Sequence, residues 1–173
     1  AFICNVVIDE DKKTVAAFAG NFQTAHRKGV DFLSGYCAVK PAPSDIVITT
    51  NGGYPLDQNA YQCPKGMSAA EATVNDGGVI IMLATCQDGH GGESYYHSIA
   101  DAESADAFFQ QCLHTPQVET LPDQWCAQIW CRIVRKYKVL FVADKAQEQL
   151  IRDLKVEYFE TLDEAYARAR ELK

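Results

Sequence analysis

At 173 residues, 47% of them hydrophobic, the chain is long enough to bury a sizeable core as one domain. A formal net charge of −7 argues against nucleic acid or an anionic membrane as the main partner, since both are held through clustered Lys and Arg. The longest apolar run, Val79 to Ala84, falls far short of the roughly 20 residues that a membrane-spanning helix needs.

A soluble, cytoplasmic protein is the resulting expectation, and small acids stay open as ligands. Seven cysteines, at 4, 37, 63, 86, 112, 126 and 131, form an odd set without a C-x-x-C pair. Most sit inside apolar periodic segments and read as buried, reduced thiols behaving as small hydrophobes. Cys126 and Cys131 are spaced too loosely for a zinc-ligand pair. Ala1 opens directly into strand-like sequence without an initiator Met, which predicts a natural start further upstream.

In chain order, Phe2 to Ile8 and Thr14 to Ala19 are β-type runs joined by the charged linker Asp9–Lys13, a hairpin by length and polarity. Phe22 to Val39 follows as a helix with an imperfect apolar face of Phe22, Ala25, Val30, Phe32 and Leu33. His26 lies on it beside Arg27 and Lys28, on a solvated surface or against a further domain. Lys40-Pro41-Ala42-Pro43 is a stiff extended linker and the clearest boundary signal. Residues 1–40 are therefore expected as a hairpin and connecting helix, and 41–173 as the main domain.

That main domain is organised around Ser44 to Gly66. Asp45 to Thr50 is a β-branched run that reads as a buried strand, and Asn51-Gly52-Gly53 ends it with a turn open to close approach. Asp57 reads as a helix N-cap, with two turns from Gln58 to Cys63 before Pro64 interrupts the ladder. On such a helix Tyr61 and Lys65 stand four apart and Gln62 and Lys65 three apart. A phenol, an amide and an ammonium then converge on the side facing the glycine turn.

Ser68 to Glu71 has the form of a capping box opening a helix to about Asn75, with Asp76-Gly77-Gly78 closing it. Val79 to Cys86 is a second buried strand. Its exit, Gln87 to Glu93, is expected to meet the first glycine turn at one edge of a parallel sheet. Gly89, Gly91 and Ser94 miss the dinucleotide-binding fingerprint by one residue type, and no helix is expected directly after them. His90, Glu93 and His97 are too loosely spaced on glycines for a metal triad, so His90 and Glu93 read as loop-shaping or interface residues. Ala102 to Leu113 is a helix. The longest helix runs from Asp123, a plausible cap, to about Lys136, with Trp125, Ile129 and Ile133 spaced at four and Trp130 and Val134 beside them. Strands at Tyr137–Val142 and Val156–Phe159 and helices at Lys145–Asp153 and Leu162–Leu172 complete the chain. Alternation of strands and helices after Lys40 predicts a three-layer α/β/α unit with a mostly parallel sheet, preceded by the β-hairpin and helix.

Long motifs within these elements, NGGYPLDQNAYQCPKGMSAAEATV, GGVIIMLATCQDGHGGE and DQWCAQ, resemble the carboxyl-terminal half of the nickel-dependent lactate racemase family. The resemblance implies enzymes that racemise or epimerise 2-hydroxy acids by hydride transfer to a nickel-pincer nucleotide. It places that cofactor, and the histidines acting as general bases, mainly on an N-terminal domain outside these residues. By the same resemblance Lys65, from the pattern Y-Q-x-x-K-G, pairs with the substrate carboxylate. Gln62 hydrogen-bonds its oxygens, Trp125 of the DQW motif walls one side, and Tyr61 packs behind them. No catalytic residue and no metal ligand is implied within this chain, which alone is expected to be inactive. Pro64 is not required by the pattern, and a kink there would alter the aim of Lys65. The alternative reading is a small-carboxylate binding or regulatory module without chemistry. An NAD-dependent enzyme is disfavoured by the incomplete glycine fingerprint.

Overall fold

The computed structural model describes residues 1–173, which divide into two units, Ala1–Pro41 and Ala42–Lys173. In the first, β1 (Phe2–Ile8) pairs antiparallel with β2 (Thr14–Asn21), and α1 (Phe22–Cys37) packs on the hairpin. Asn21 caps α1 by accepting from the amides of Gln23 and Thr24, the side-chain oxygen standing in for the absent preceding turn. Ala25 is the one fully buried side chain of this helix. Phe2, Val6, Ile8, Val15, Val30, Tyr36 and others stay exposed, so the unit buries little apolar surface by itself.

The second unit is built on a four-stranded parallel sheet of order β3-β4-β5-β6: Ser44–Thr50, Val74–Leu83, Lys138–Val142 and Glu157–Phe159. Parallel strands buried on both faces carry continuous apolar runs, as Val79 to Met82 and Val139 to Phe141 do. One face bears α2 (Cys63–Glu71), α3 (Glu93–Ala100), α4 (Ala105–His114), α5 (Gln124–Lys136) and α6 (Glu148–Asp153), packed around Ile80, Met82 and Phe141. On the other face Val79, Ile81 and Leu140 meet Ala165 and Ala169 of α7 (Leu162–Glu171). The fold is thus the expected α/β architecture with an unequal pair of helical layers. Trp130 is wholly buried, and its indole N–H donates to the carbonyl of Leu154 at 2.9 Å.

Four local expectations need correction. Gln58–Cys63 is not a two-turn helix: only Ala60–Gln62 forms one 3₁₀ turn, because the amides of Ala60 and Tyr61 donate across the structure to the carbonyls of Gly89 and His90. Pro64 then stands in the first turn of α2 rather than interrupting a helix, where its lacking N–H costs nothing. Ser68 lies inside α2 and caps nothing, and Asp76-Gly77-Gly78 loops out within β4 where the register with β3 shifts between the Ser44–Val74 and Ile46–Val79 pairs. A helix, α3, does follow the glycine loop at once, anchored by buried Tyr95 and Ile99 four residues apart.

Candidate functional site

The first residues of α2 and α5 both lie toward the carboxyl edge of the sheet, since α2 follows β3 and α5 runs back to β5. The four side chains singled out in the sequence gather at these two helix starts. Lys65 Nζ donates to Gln62 Oε1 at 2.5 Å, and Lys65 is exposed. The Tyr61 ring meets Trp125 edge-on, with centroids 6.2 Å apart at 86°, and Tyr95 at 5.4 Å and 77°. Between the helices, Cys126 Sγ donates to the Tyr61 carbonyl at 3.4 Å. Trp125 keeps 56% of its surface exposed in the first turn of an otherwise well-buried helix. Trp125 is thus tied to Tyr61, the chain neighbour of Gln62, while Lys65 is tied to Gln62.

Position within this cluster is set by backbone ties. The amide of Gly66 donates to Asn51 Oδ1 at 3.0 Å, and Thr49 Oγ1 donates to the Gly66 carbonyl at 3.0 Å, which fixes α2 to the end of β3. A methyl group at Gly66 would sit 2.8 Å from Asn51 Oδ1 and 2.9 Å from the Thr50 carbonyl oxygen, so only glycine allows this approach. The loops after β3 and β4 are also tied together: Cys86 and Asp88 donate to the carbonyls of Asp57 and Gln58. A methyl group at Gly91 would meet the Asn59 side chain at 2.5 Å.

Two aspartates have roles other than the caps expected of them. Asp57 is buried, and its Oδ2 accepts from the Thr85 amide at 3.2 Å, so it pins one loop to the other rather than opening a helix. Asp123 precedes α5 with φ 61 and makes no side-chain cap; instead its Oδ1 accepts from the Tyr61 hydroxyl at 3.0 Å. Burial, and then this hydrogen bond, push the Tyr61 phenol up to about 12. Burial likewise pushes the Cys126 thiol up to about 12, with Asp123 acting in the same sense and the Lys65 charge against it. Asp123 belongs to the DQW motif, and that membership was the sequence signal for a role beyond capping.

The glycine loop is spent on internal contacts. Gly89 donates to Cys86 and Gly92 to His90 Nδ1, while His90 stacks on Tyr96 with centroids 4.9 Å apart. Glu93 stands 3.6 Å from His90 and 3.5 Å from His97. No three His, Cys, Asp or Glu side chains come together in an arrangement that would hold a metal ion. All seven cysteines are unpaired thiols; Cys63, Cys86, Cys126 and Cys131 are buried, Cys112 is half-buried, and Cys4 and Cys37 are exposed. No helix is long and apolar enough to cross a membrane.

Comparison with known proteins gives the family. Residues 39–173 match the family model described as the lactate racemase C-terminal domain. The lactate racemase of Lactiplantibacillus plantarum is 51% identical over 169 residues, spanning 98% of this chain and 40% of that protein. The lactate racemase of Thermoanaerobacterium thermosaccharolyticum is 50% identical over 154 residues, 89% of this chain and 36% of that protein. The solved structure of the lactate racemase apoprotein from Thermoanaerobacterium thermosaccharolyticum superposes with a TM-score of 0.89 at 47% identity, covering 99% of this chain and 41% of that one. The chain thus spans about two fifths of the length of these relatives, and it belongs to the lactate racemase family, whose C-terminal domain it carries.

Proposed function

We propose that this chain is the substrate-binding portion of an isomerase that interconverts the stereoisomers of a small 2-hydroxy acid. The observation that carries the proposal is the Lys65–Gln62 pair at the start of α2, together with exposed Trp125, whose ring meets Tyr61 next to Gln62 in the chain. Lys65 gives a charge-assisted hydrogen bond to the substrate carboxylate, and Gln62 orients the ammonium through its amide oxygen while offering its own N–H groups to the carboxylate. Trp125 covers the apolar side and excludes water, with Tyr61 behind it holding the ring edge-on. A nickel-pincer nucleotide held by the N-terminal part of the full-length enzyme supplies the hydride acceptor, and that part also supplies the general bases. The residues of this chain bind and orient; they move no proton between carbon and oxygen.

The exposed apolar surface of residues 1–41 fits the same reading. Val7, Ile8, Val15, Phe32, Leu33 and Tyr36 line an apolar groove of about 540 Å³ that the rest of the enzyme would cover. The functional test is reconstitution. Full-length protein loaded with cofactor should convert D-lactate to L-lactate, whereas the 173 residues alone should neither racemise nor retain nickel. Stoichiometric nickel together with D/L interconversion by the isolated chain would overturn this division of labour.

A further inference from the structure

The carboxyl ends of the four parallel strands enclose a feature that the substrate site does not use. A cavity of about 280 Å³ opens there, lined by Thr50 at the end of β3, Asp57 and Thr85 in the loops after β3 and β4, Asp144 after β5 and Glu160 after β6. Its rim is knitted by bonds between successive strand ends. The Ala84 amide donates to the Val142 carbonyl at 3.1 Å, the Ala143 amide to the Phe159 carbonyl at 3.2 Å, and the Thr85 amide to Asp57 Oδ2 at 3.2 Å. The cavity is therefore shaped by the fold itself.

Three of its side chains are carboxylates, and no Lys, Arg or His lines it. Asp144 and Glu160 are exposed, and cations on adjoining elements are committed elsewhere: Lys145 to Glu148 at 2.5 Å, Lys138 and Arg168 to Glu157 at 2.7 and 3.3 Å. Asp57 differs in being only 6% exposed, and its Oδ1 is shielded from water with no hydrogen-bond partner. Burying a carboxylate oxygen without a donor is costly. The cavity that Asp57 lines is the side from which a donor can come.

The kind of donor follows from the spread of the acceptors. The carboxylates do not close on one point in the way a metal ion requires. A guanidinium carries five N–H donors on a planar fork and can serve separated carboxylates at once. The chain spans about two fifths of the length of its relatives, and the part of the enzyme outside it has to reach Gln62 and Lys65, which follow Asp57 along the same carboxyl edge of the sheet. We propose that the cavity is a docking socket for an arginine side chain of that other part of the enzyme, which pairs with Asp57, Asp144 and Glu160 and fixes the two parts together beside the substrate site. This inference rests on reading the chain as one portion of a longer enzyme, and not on the role given to Lys65.

The test compares the full-length enzyme with the 173-residue chain, each carrying Asp144→Asn and Glu160→Gln together. In the 173-residue chain these isosteric changes at exposed positions relieve like-charge repulsion, so Tm should stay the same or rise. In the full-length enzyme they take acceptors from the arginine, so Tm should fall by about 2–4 °C at low ionic strength. Phenylglyoxal modification of the unsubstituted full-length enzyme should leave one arginine outside these residues protected, and the double substitution should expose it. A fall of Tm in both proteins would mean that the socket takes a cation from solution. No fall in the full-length enzyme, or no arginine that the substitutions expose, would leave the cavity without the proposed occupant; each of these three results overturns the inference. Unfolding and modification are read without racemisation, so this socket and the assignment of Lys65 fail separately.

Discussion

Asn51 and Gly66 hold the start of α2 against the end of β3: the Gly66 amide donates to Asn51 Oδ1 at 3.0 Å, one residue beyond Lys65. The aim of Lys65 is therefore set by a strand-end asparagine and a helix glycine, not by a kink at Pro64. The residue that carries charge and the residue that carries position are neighbours in sequence for this reason.

Gly66→Ala separates two opposing effects. Alanine favours a helix over glycine by about 1 kcal/mol, whereas forcing a methyl group to 2.9 Å from the Thr50 carbonyl oxygen costs about 1–3 kcal/mol. Because the nearer obstacles are a backbone oxygen and a hydrogen-bonded asparagine, the clash wins. Urea unfolding should show a net loss on the order of 1 kcal/mol, and kcat/KM of the full-length enzyme should fall as α2 shifts. Unchanged stability and turnover would mean that the approach of α2 to β3 is loose.

Tyr61 and Tyr96 make the alkaline limb of stability. Tyr61 is pushed up to about 12 by burial and its Asp123 bond, and Tyr96 to about 12 by its Asp153 bond and then burial. Up to about pH 10 these phenols are protonated in both folded and unfolded chains, and their contribution is complete. From there to about pH 12 the unfolded chain releases protons that the folded one keeps, so stability falls as pH rises through this window. Absorbance titration near 295 nm should show a set of tyrosines that ionise only near or beyond pH 12, together with loss of fold. Tyr61→Phe should remove one of them.

Thiol labelling tests the covering of residues 1–41. Cys4 and Cys37 are exposed in the 173-residue chain, Cys112 is half-buried, and the other four are buried, with Cys126 and Cys131 pushed up to about 12 by burial. Two thiols should react fast with a disulfide reagent at pH 8, and the buried four only after unfolding. In the full-length enzyme Cys37, which lines the apolar groove, should become slow. Fast reaction there would show the groove to be solvent-facing in the whole protein.

Much of this architecture was legible in the sequence, and the exceptions share a cause. The β-branched runs at Ile46–Thr50 and Val79–Met82 and the four-residue spacing of Trp125, Ile129 and Ile133 are local patterns that the fold reproduces. The misread segments have their outcome fixed by distant partners. Residues 58–63 lose their helix because their amides reach Gly89 and His90, and Asp57 and Asp123 leave helix caps for Thr85 and Tyr61. The loop through Asp76-Gly77-Gly78 reads as a helix stop until the register with β3 shows it to be a bulge. In α3, the glycines just upstream hide a helix whose signal is only Tyr95 and Ile99 four apart, with Glu93 and His97 at the same spacing. For the site, the three-residue spacing brings Lys65 to Gln62 through a 3₁₀ turn running into α2 rather than one helix, while the Tyr61 hydroxyl turns to Asp123 instead. Proximity to Trp125 required α5, which no local pattern fixes.

The most direct measurement of the substrate-binding proposal is steady-state racemisation by the full-length, cofactor-loaded enzyme carrying Lys65→Met, with thermal unfolding measured alongside. Lys65 is exposed and its side-chain partner is Gln62, so folding should be unchanged. Loss of a charge-assisted hydrogen bond worth about 1.5–3 kcal/mol should lower kcat/KM for lactate by roughly 10- to 150-fold. Unimpaired kcat/KM in a normally folded Lys65→Met enzyme would contradict the account, leaving Lys65 as a surface lysine and the substrate carboxylate bound elsewhere.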